Sequence, residues 1–310
     1  MNSTVFEMMK GLHMISDMKR FFFTVMAALV LVVPTFGQSR ELPFRDGEDI
    51  ELIIHYKCGF NADIASISCK LTEETDKSGV PCFHFIANAS TYKFWDSFYK
   101  VRDIYESKFT KDLYPLYFHR DVKEGNYWAK NWYTWSKGYK DLHLVVEKST
   151  RPKRDTVYNE GVIIRDLINM FYVARACDFD QLMAGKKLRY TMAIDRDVMD
   201  LQLRFIKREK KKVAGLGVVD AYKIGLAVTP RNMVNESSGN RFAFDSAVSD
   251  AEQTSDGVFY GDEKIFLWLS ADENHIPVTF TCPVAVGSIN GRLGKHDGLK
   301  YPFTSLVSEE

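Results

Sequence analysis

The chain has 310 residues, 45% hydrophobic and 14% aromatic, with 41 basic and 41 acidic side chains. That apolar fraction excludes wholesale disorder. The formal net charge of zero argues against a nucleic-acid binder, which needs a basic surface to neutralise phosphates. The length accommodates one large β domain or two smaller ones.

The chain opens with a targeting pattern. Lys19 and Arg20 precede an apolar run over residues 21–33, followed by Pro34, Thr35, Phe36 and Gly37. A charged start, a short apolar run and small residues at Thr35 and Gly37 predict a secretory signal peptide over residues 1–37, cut after Gly37. The run is shorter than the roughly twenty residues a bilayer crossing needs. Residues 1–17 read as an upstream extension, with Met18 as the natural start. No Cys stands at the cut, which argues against a lipid anchor. Residues 38–310 are therefore expected to be exported and periplasmic, without a transmembrane span. An extracellular or peripherally membrane-associated location is the alternative.

Period-two hydrophobicity then dominates. In residues 48–57, Ile50, Leu52 and Ile54 share one face, with Asp49, Glu51 and His55 on the other. Further strands are predicted over 64–71, 82–90, 94–107, 114–121, 127–135 and 142–148, separated by turn residues such as Lys77-Ser78-Gly79 and Glu124-Gly125-Asn126. Residues 159–176 break the pattern. Ile164, Leu167, Ile168, Phe171 and Val173 fall at helical spacing, so one α-helix capped by Asn159 is predicted there, its stripe covering a sheet. Strands resume over 187–194, 200–209, 217–228, 264–270, 278–281 and 284–293. The basic run Lys207, Arg208, Lys210, Lys211 and Lys212 reads as a solvated hairpin turn, and the polar stretch 231–257 as a long loop or flap.

The expected architecture is an antiparallel, strongly curved, barrel-like or half-barrel sheet with one packed helix. Large twisted antiparallel sheets close or curl to hide their edges. A two-sheet β-sandwich is the alternative. Gly47-Glu48-Asp49-Ile50 and Gly185-Lys186-Lys187-Leu188 open similar strand series, which admits two β halves, about 40–150 and 185–305, joined by the helix.

Five cysteines follow the leader: Cys58, Cys69, Cys82, Cys177 and Cys282. Their odd number leaves at least one unpaired; a bridge from Cys58 to Cys69 across a hairpin and buried free thiols are both open. There is no CxxC, no metal-ligand spacing, no nucleotide-binding glycine loop and no nucleophile elbow. No cofactor or metal is expected.

Aromatic residues are densest between Tyr92 and Tyr139. In the strand near Trp132, Trp128 and Trp132 point one way, and Tyr127, Tyr133 and Trp135 the other. With rings on both faces, either both are buried or one lines a ligand cleft. Trp128, Trp132, Tyr133, Trp135 and Tyr105 are the candidate ligand-binding residues. Arg102, Asp103, Glu106, Arg120 and Glu124 form a candidate charged cluster. Asp103 and Tyr105 share a face, and Arg102 and Glu106 share the opposite one. An ion pair from Arg120 to Glu106 is expected. A carboxylate pair such as Asp103 and Glu124 is the one arrangement suited to acid–base chemistry.

The sequence resembles a family of exported bacterial proteins, domain-of-unknown-function family 3108. The resemblance rests on Gly47-Glu48, on Val101-Arg102-Asp103-Ile104-Tyr105-Glu106-Ser107, and on Leu113-Tyr114-Pro115-Leu116 with Phe118, Arg120, Glu124 and Gly125. It continues in Asp166-Leu167 with Tyr172 and Arg175, in the stretch from Leu267 to Val278, and in Gly287-Ser288. Leu52 and Ala62-Asp63-Ile64-Ala65 depart from the family pattern. The resemblance implies an exported, mostly β protein and supplies no catalytic residue.

Three functions are compatible with these readings. The first is a non-enzymatic binding or carrier protein for an apolar or glycan ligand. The second is a cell-envelope scaffold or assembly protein working through a protein partner. The third is a hydrolase using a carboxylate pair.

Overall fold

The computed structural model describes residues 41–58, 60–230, 265–283 and 288–307. The leader over 1–37 and the polar stretch 231–257 lie outside the described residues. Within the unit Pro43–Glu310, the chain forms β1 (Glu48–Cys58), β2 (Phe60–Thr75), β3 (Pro81–Thr91), β4 (Arg102–Thr110), β5 (Pro115–Glu124), β6 (Tyr127–Ser136), β7 (Asp141–Lys148) and β8 (Arg151–Asn159). After a short β9 (Ile164–Arg165) come helices α1 (Leu167–Arg175) and α2 (Phe179–Met183). Then follow β10 (Leu188–Ile194), β11 (Asp197–Val213), β12 (Gly217–Pro230), β13 (Ile265–Ser270), β14 (Pro277–Pro283), β15 (Ser288–Asp297) and β16 (Leu306–Val307).

All sixteen strands belong to one sheet, ordered β8 through β1, then β15 through β9, with β16 on β12. This is a single curved wall and not a two-sheet sandwich. Two meanders meet where β1 pairs antiparallel with β15. Every pairing is antiparallel except β9 with β10. The wall curls until β8 and β9, its two ends, come near one another. Tyr158 Oη on β8 donates to Arg196 O in the β10–β11 turn at 3.2 Å. Trp135 Nε1 on β6 donates to Ile164 O on β9 at 2.7 Å.

Helix α1 is buried on nearly every side, as an element inside a barrel must be. Its start is set by Asp166, whose Oδ1 accepts from Ile168 N and Asn169 N at 2.9 and 2.8 Å. Ser107 on β4 donates to the other carboxylate oxygen. Burial pushes the Asp166 carboxyl up to about 7. Tyr172 packs among Phe44, Phe85 and Phe109, with ring centroids 4.7–5.7 Å away. At the last turn, Arg175 is 0% exposed and meets Glu48 of β1 through two bonds of 2.6 and 2.7 Å. Arg175 Nη2 also donates to Asn274 O, and His275 Nδ1 donates to Arg175 O. Glu48, Tyr172, Arg175, Asn274 and His275 all lie in stretches that carry the family resemblance, so part of that signature is the bolt that fixes the helix to the wall.

Four expectations are corrected. The helix begins at Leu167, not Asn159: residues 151–159 are strand β8, and Ile164 belongs to β9. Residues 94–101 precede the strand that starts at Arg102, and Trp95–Ser97 form a 3-10 turn. The basic run 207–212 lies within β11, paired with β12, and the turn follows at Ala214–Leu216. In the β1–β2 hairpin, Cys58 faces Phe60 while Cys69 faces Ile50. Nine residues of strand, roughly 30 Å, separate the two cysteines, so no bridge joins them.

Candidate functional site

The alternation along β4 to β7 decides which side chains enter the barrel. Tyr105, Arg120 and Asn131 stand side by side in register across β4, β5 and β6, with Phe118 beside Tyr133. The β10–β11 turn projects toward them from the far side of the wall. Its Asp195 holds a left-handed backbone, φ +53°, which suits a two-residue hairpin turn. The Asp195 carbonyl accepts from Tyr133 Oη at 2.6 Å and from Asn131 Nδ2 at 3.3 Å. Its carboxylate takes Lys148 Nζ, whose side chain is 1% exposed, and lies 4.0 Å from Arg120 Nη1.

Between these groups is a cavity of about 720 Å³. Tyr105, Phe118, Tyr127, Tyr133, Leu167, Ala193 and Ile194 supply apolar wall; Arg120, Glu124, Asn131, Thr150, Arg151 and Asp195 supply polar groups. That size suits a small organic ligand. Arg120 Nε is buried and finds no hydrogen-bond acceptor among the described residues, and its guanidinium lies 6.0 Å from the Tyr105 ring. An unmade bond at a buried donor is a cost that a ligand oxygen can remove. Burial pushes the Tyr105 hydroxyl up to about 12.

At one end of the cavity, Glu124 stands beside Asp103, which is 5% exposed. Burial raises the Asp103 carboxyl to about 7, against a bond from Lys123 N at 2.9 Å and the pull of Arg120. The neighbouring Glu124 adds to the rise in Asp103, because a nearby like charge disfavours the ionised form.

The candidate rings divide. Tyr105 and Tyr133 line the cavity. Trp135 shares their face but is packed in the neighbouring core, its indole committed to Ile164 O. Trp132 lies on the outer face, stacked on His119 at 5.5 Å, and Trp128 is on that face and exposed. The charged cluster divides likewise. Asp103, Arg120 and Glu124 are inside. Arg102 is outside, held by Asp96 at 2.6 Å. Glu106 is also outside, held by His84 at 2.8 Å. The expected pair of Arg120 with Glu106 does not form, because the register sets Arg120 against Tyr105 and Glu106 against His119.

Sequence reasoning missed Asn131, Lys148 and Asp195. Lys148 had a signal: it continues the buried parity of Leu142, Leu144 and Val146. Asn131 likewise interrupts the inner face of β6. Asp195 had none beyond its turn position. Among the described residues, no group of three or more His, Cys, Asp and Glu is placed to hold a metal, and no helix is long and apolar enough to cross a membrane.

No curated protein matches this chain. It is similar to a crystal structure of a beta-barrel-like protein of domain of unknown function DUF1849 from Brucella abortus, at 10% identity and a TM-score of 0.47, over 82% of this chain and 98% of that one. The family described as "Protein of unknown function (DUF3108)" matches residues 52–293, and with most of its length so matched, the chain belongs to that family.

Proposed function

We propose that this protein is an exported, non-enzymatic binding or carrier protein that holds a small ligand inside its curved sheet. The observation that carries this reading is the cavity of about 720 Å³, where Tyr105 and Phe118 stand beside Arg120, Glu124 and Asn131. Flat rings and convergent hydrogen-bonding groups suit a glycan-like ligand. A bare acyl chain would strip water from Arg120 and Asn131 without replacing it. Export rests on the leader pattern over residues 1–37.

The hydrolase reading has one observation in its favour, the raised carboxyl of Asp103 beside Glu124. Glycoside hydrolysis needs carboxyls about 5 Å or more apart, flanking the bond. Asp103 is 5% exposed, committed to Lys123 N at 2.9 Å, and is not among the residues lining the cavity, so the pair does not flank a bound substrate. Binding is therefore the better reading.

Native mass spectrometry of protein purified from its own cell envelope tests it. A co-purifying non-protein mass is expected, lost on Tyr105→Ala in a variant that keeps its circular dichroism. No bound mass, or one indifferent to Tyr105→Ala, refutes the proposal.

A further inference from the structure

The segment between β3 and β4 presents its rings outward. Phe94 is 68% exposed, Phe98 71% and Tyr99 53%. Phe94, Trp95 and Phe98 pack on one another with centroids 5.2–5.8 Å apart, so the rings form one patch. The turn beneath them is firmly built. Trp95 Nε1 donates to Asp63 O at 3.0 Å. Asp96 accepts from Thr91 Oγ1 and is gripped through both oxygens by Arg102. A rigid turn that holds two phenylalanines in water spends free energy unless something covers them.

The charge around the patch identifies the cover. Lys93 and Lys100 flank it, both exposed. Asp96, the one acid between them, is neutralised by Arg102. Asp63, beside Tyr92, is likewise held by Arg292 at 2.7 Å, so residues 92–100 present the two lysines around an aromatic centre, the composition that partitions into the headgroup zone of a bilayer containing anionic lipid. A protein partner would have to match an aromatic knob with a groove, and nothing about the rim asks for one. The patch also borders the cavity. The Tyr99 ring lies against Gly125, about 3.1 Å from where a Cβ would stand. Gly125 N donates to Lys100 O at 2.8 Å, and the adjacent Glu124 lines the cavity.

We propose that residues 92–100 dock the cavity end of the barrel on the interfacial zone of an anionic phospholipid bilayer, with Phe94 and Phe98 inserted and Lys93 and Lys100 on the lipid phosphates. This does not depend on what the cavity holds.

Flotation of the full chain with phosphatidylcholine vesicles, with and without about one-third phosphatidylglycerol, tests the surface. Each inserted ring is expected to be worth about tenfold in partitioning, so Phe94→Ser with Phe98→Ser lowers it about a hundredfold. Lys93→Glu with Lys100→Glu abolishes the preference for phosphatidylglycerol. The apolar run 21–33 is common to all these proteins, so a local readout is added. Lipid brominated in its acyl chains quenches the share of tryptophan emission that Trp95→Phe removes. Unchanged flotation in the aromatic variant together with an unquenched Trp95 overturns the proposal. So does a dimer at size exclusion that the aromatic variant dissolves, which would assign the patch to a second copy. Loss of vesicle binding with the cavity ligand retained separates this surface from the binding site.

Discussion

Replacing Glu48 by Gln tests the bolt between helix and wall. The substitution keeps the side-chain volume and removes only the charge, leaving Arg175 buried at 0% exposure with no carboxylate. Glu48 accepts two bonds from Arg175, at 2.6 and 2.7 Å, and one from Tyr172 Oη at 3.3 Å. Removing one partner of a buried pair destabilises by about 3–5 kcal/mol. An exposed pair, Lys295 with Asp297 at 3.0 Å, sets the contrast, and Asp297→Asn should leave the unfolding midpoint nearly unchanged. Urea unfolding followed by near-ultraviolet circular dichroism measures both. With an m-value near 3 kcal/mol/M, Glu48→Gln should lower the midpoint by about 1–1.7 M. Glu48→Leu combined with Arg175→Met should recover most of the loss, since no uncompensated charge remains. A cost for Glu48→Gln below about 1 kcal/mol, or a double variant no better than the sum of its singles, would refute the reasoning.

Other expectations follow from the same geometry. Asp103 and Asp166 hold carboxyls at about 7, above the usual 3.9 of an unfolded Asp. The folded state therefore binds protons that the unfolded chain releases, and the stability they contribute is full below about pH 4 and lost as pH rises through about 7. Midpoints taken from pH 4 to 8 should decline less steeply in Asp103→Asn than in the parent; parallel slopes would exclude the assignment. Asp166→Ala removes a helix cap and should cost about 1–2 kcal/mol, whereas Asp166→Asn keeps an acceptor and should cost less; thermal melts rank the two. Gly298 has φ +65°, and a Cβ there would stand 1.9 Å from Gly47 O. Gly298→Ala should destabilise by about 1–3 kcal/mol or more, and a melting temperature within a degree of the parent would contradict that. Tyr133→Phe leaves the Asp195 carbonyl one donor short and should cost about 1–3 kcal/mol, with faster amide exchange in the β10–β11 turn as its local mark.

Much of the sheet was legible because period two survives wherever one face is wet. The two faces of β6 fall as the alternation of Trp128 and Trp132 against Tyr127, Tyr133 and Trp135 requires. The helix start was not legible. Ile164 and Ile168 fit one helical stripe, yet a strand, a bend and the Asp166 cap separate them. Residues 94–101 of the expected 94–107 strand failed for a related reason, while 102–107 are strand: the ring pairs Phe94-Trp95 and Phe98-Tyr99 put neighbours on opposite faces, which a strand accommodates as readily as a turn does. Face assignment within β4 was readable, but pairing across strands was not. Register depends on turn geometry, and a one-residue slip exchanges Tyr105 for Glu106 as the neighbour of Arg120. Asp195 joins Lys148 across 47 positions and Tyr133 across 62. No local spacing encodes contacts made by the closure of the whole wall.

That closure is unequal around the circumference. Elsewhere each strand is stitched to the next by a ladder of main-chain bonds. Between β8 and β9 the described residues offer instead side-chain tethers: Tyr158 to Arg196 O, Trp135 to Ile164 O, and Tyr133, Asn131 and Lys148 to Asp195. Parting them breaks side-chain bonds, one of them to the buried Lys148, but no main-chain ladder. Of these, Tyr133 and Asn131, with the Asp195 they hold, are also walls of the cavity. A path into that space along this line is shut by side chains rather than by the backbone, the Tyr133 hydroxyl and the Lys148–Asp195 pair among them.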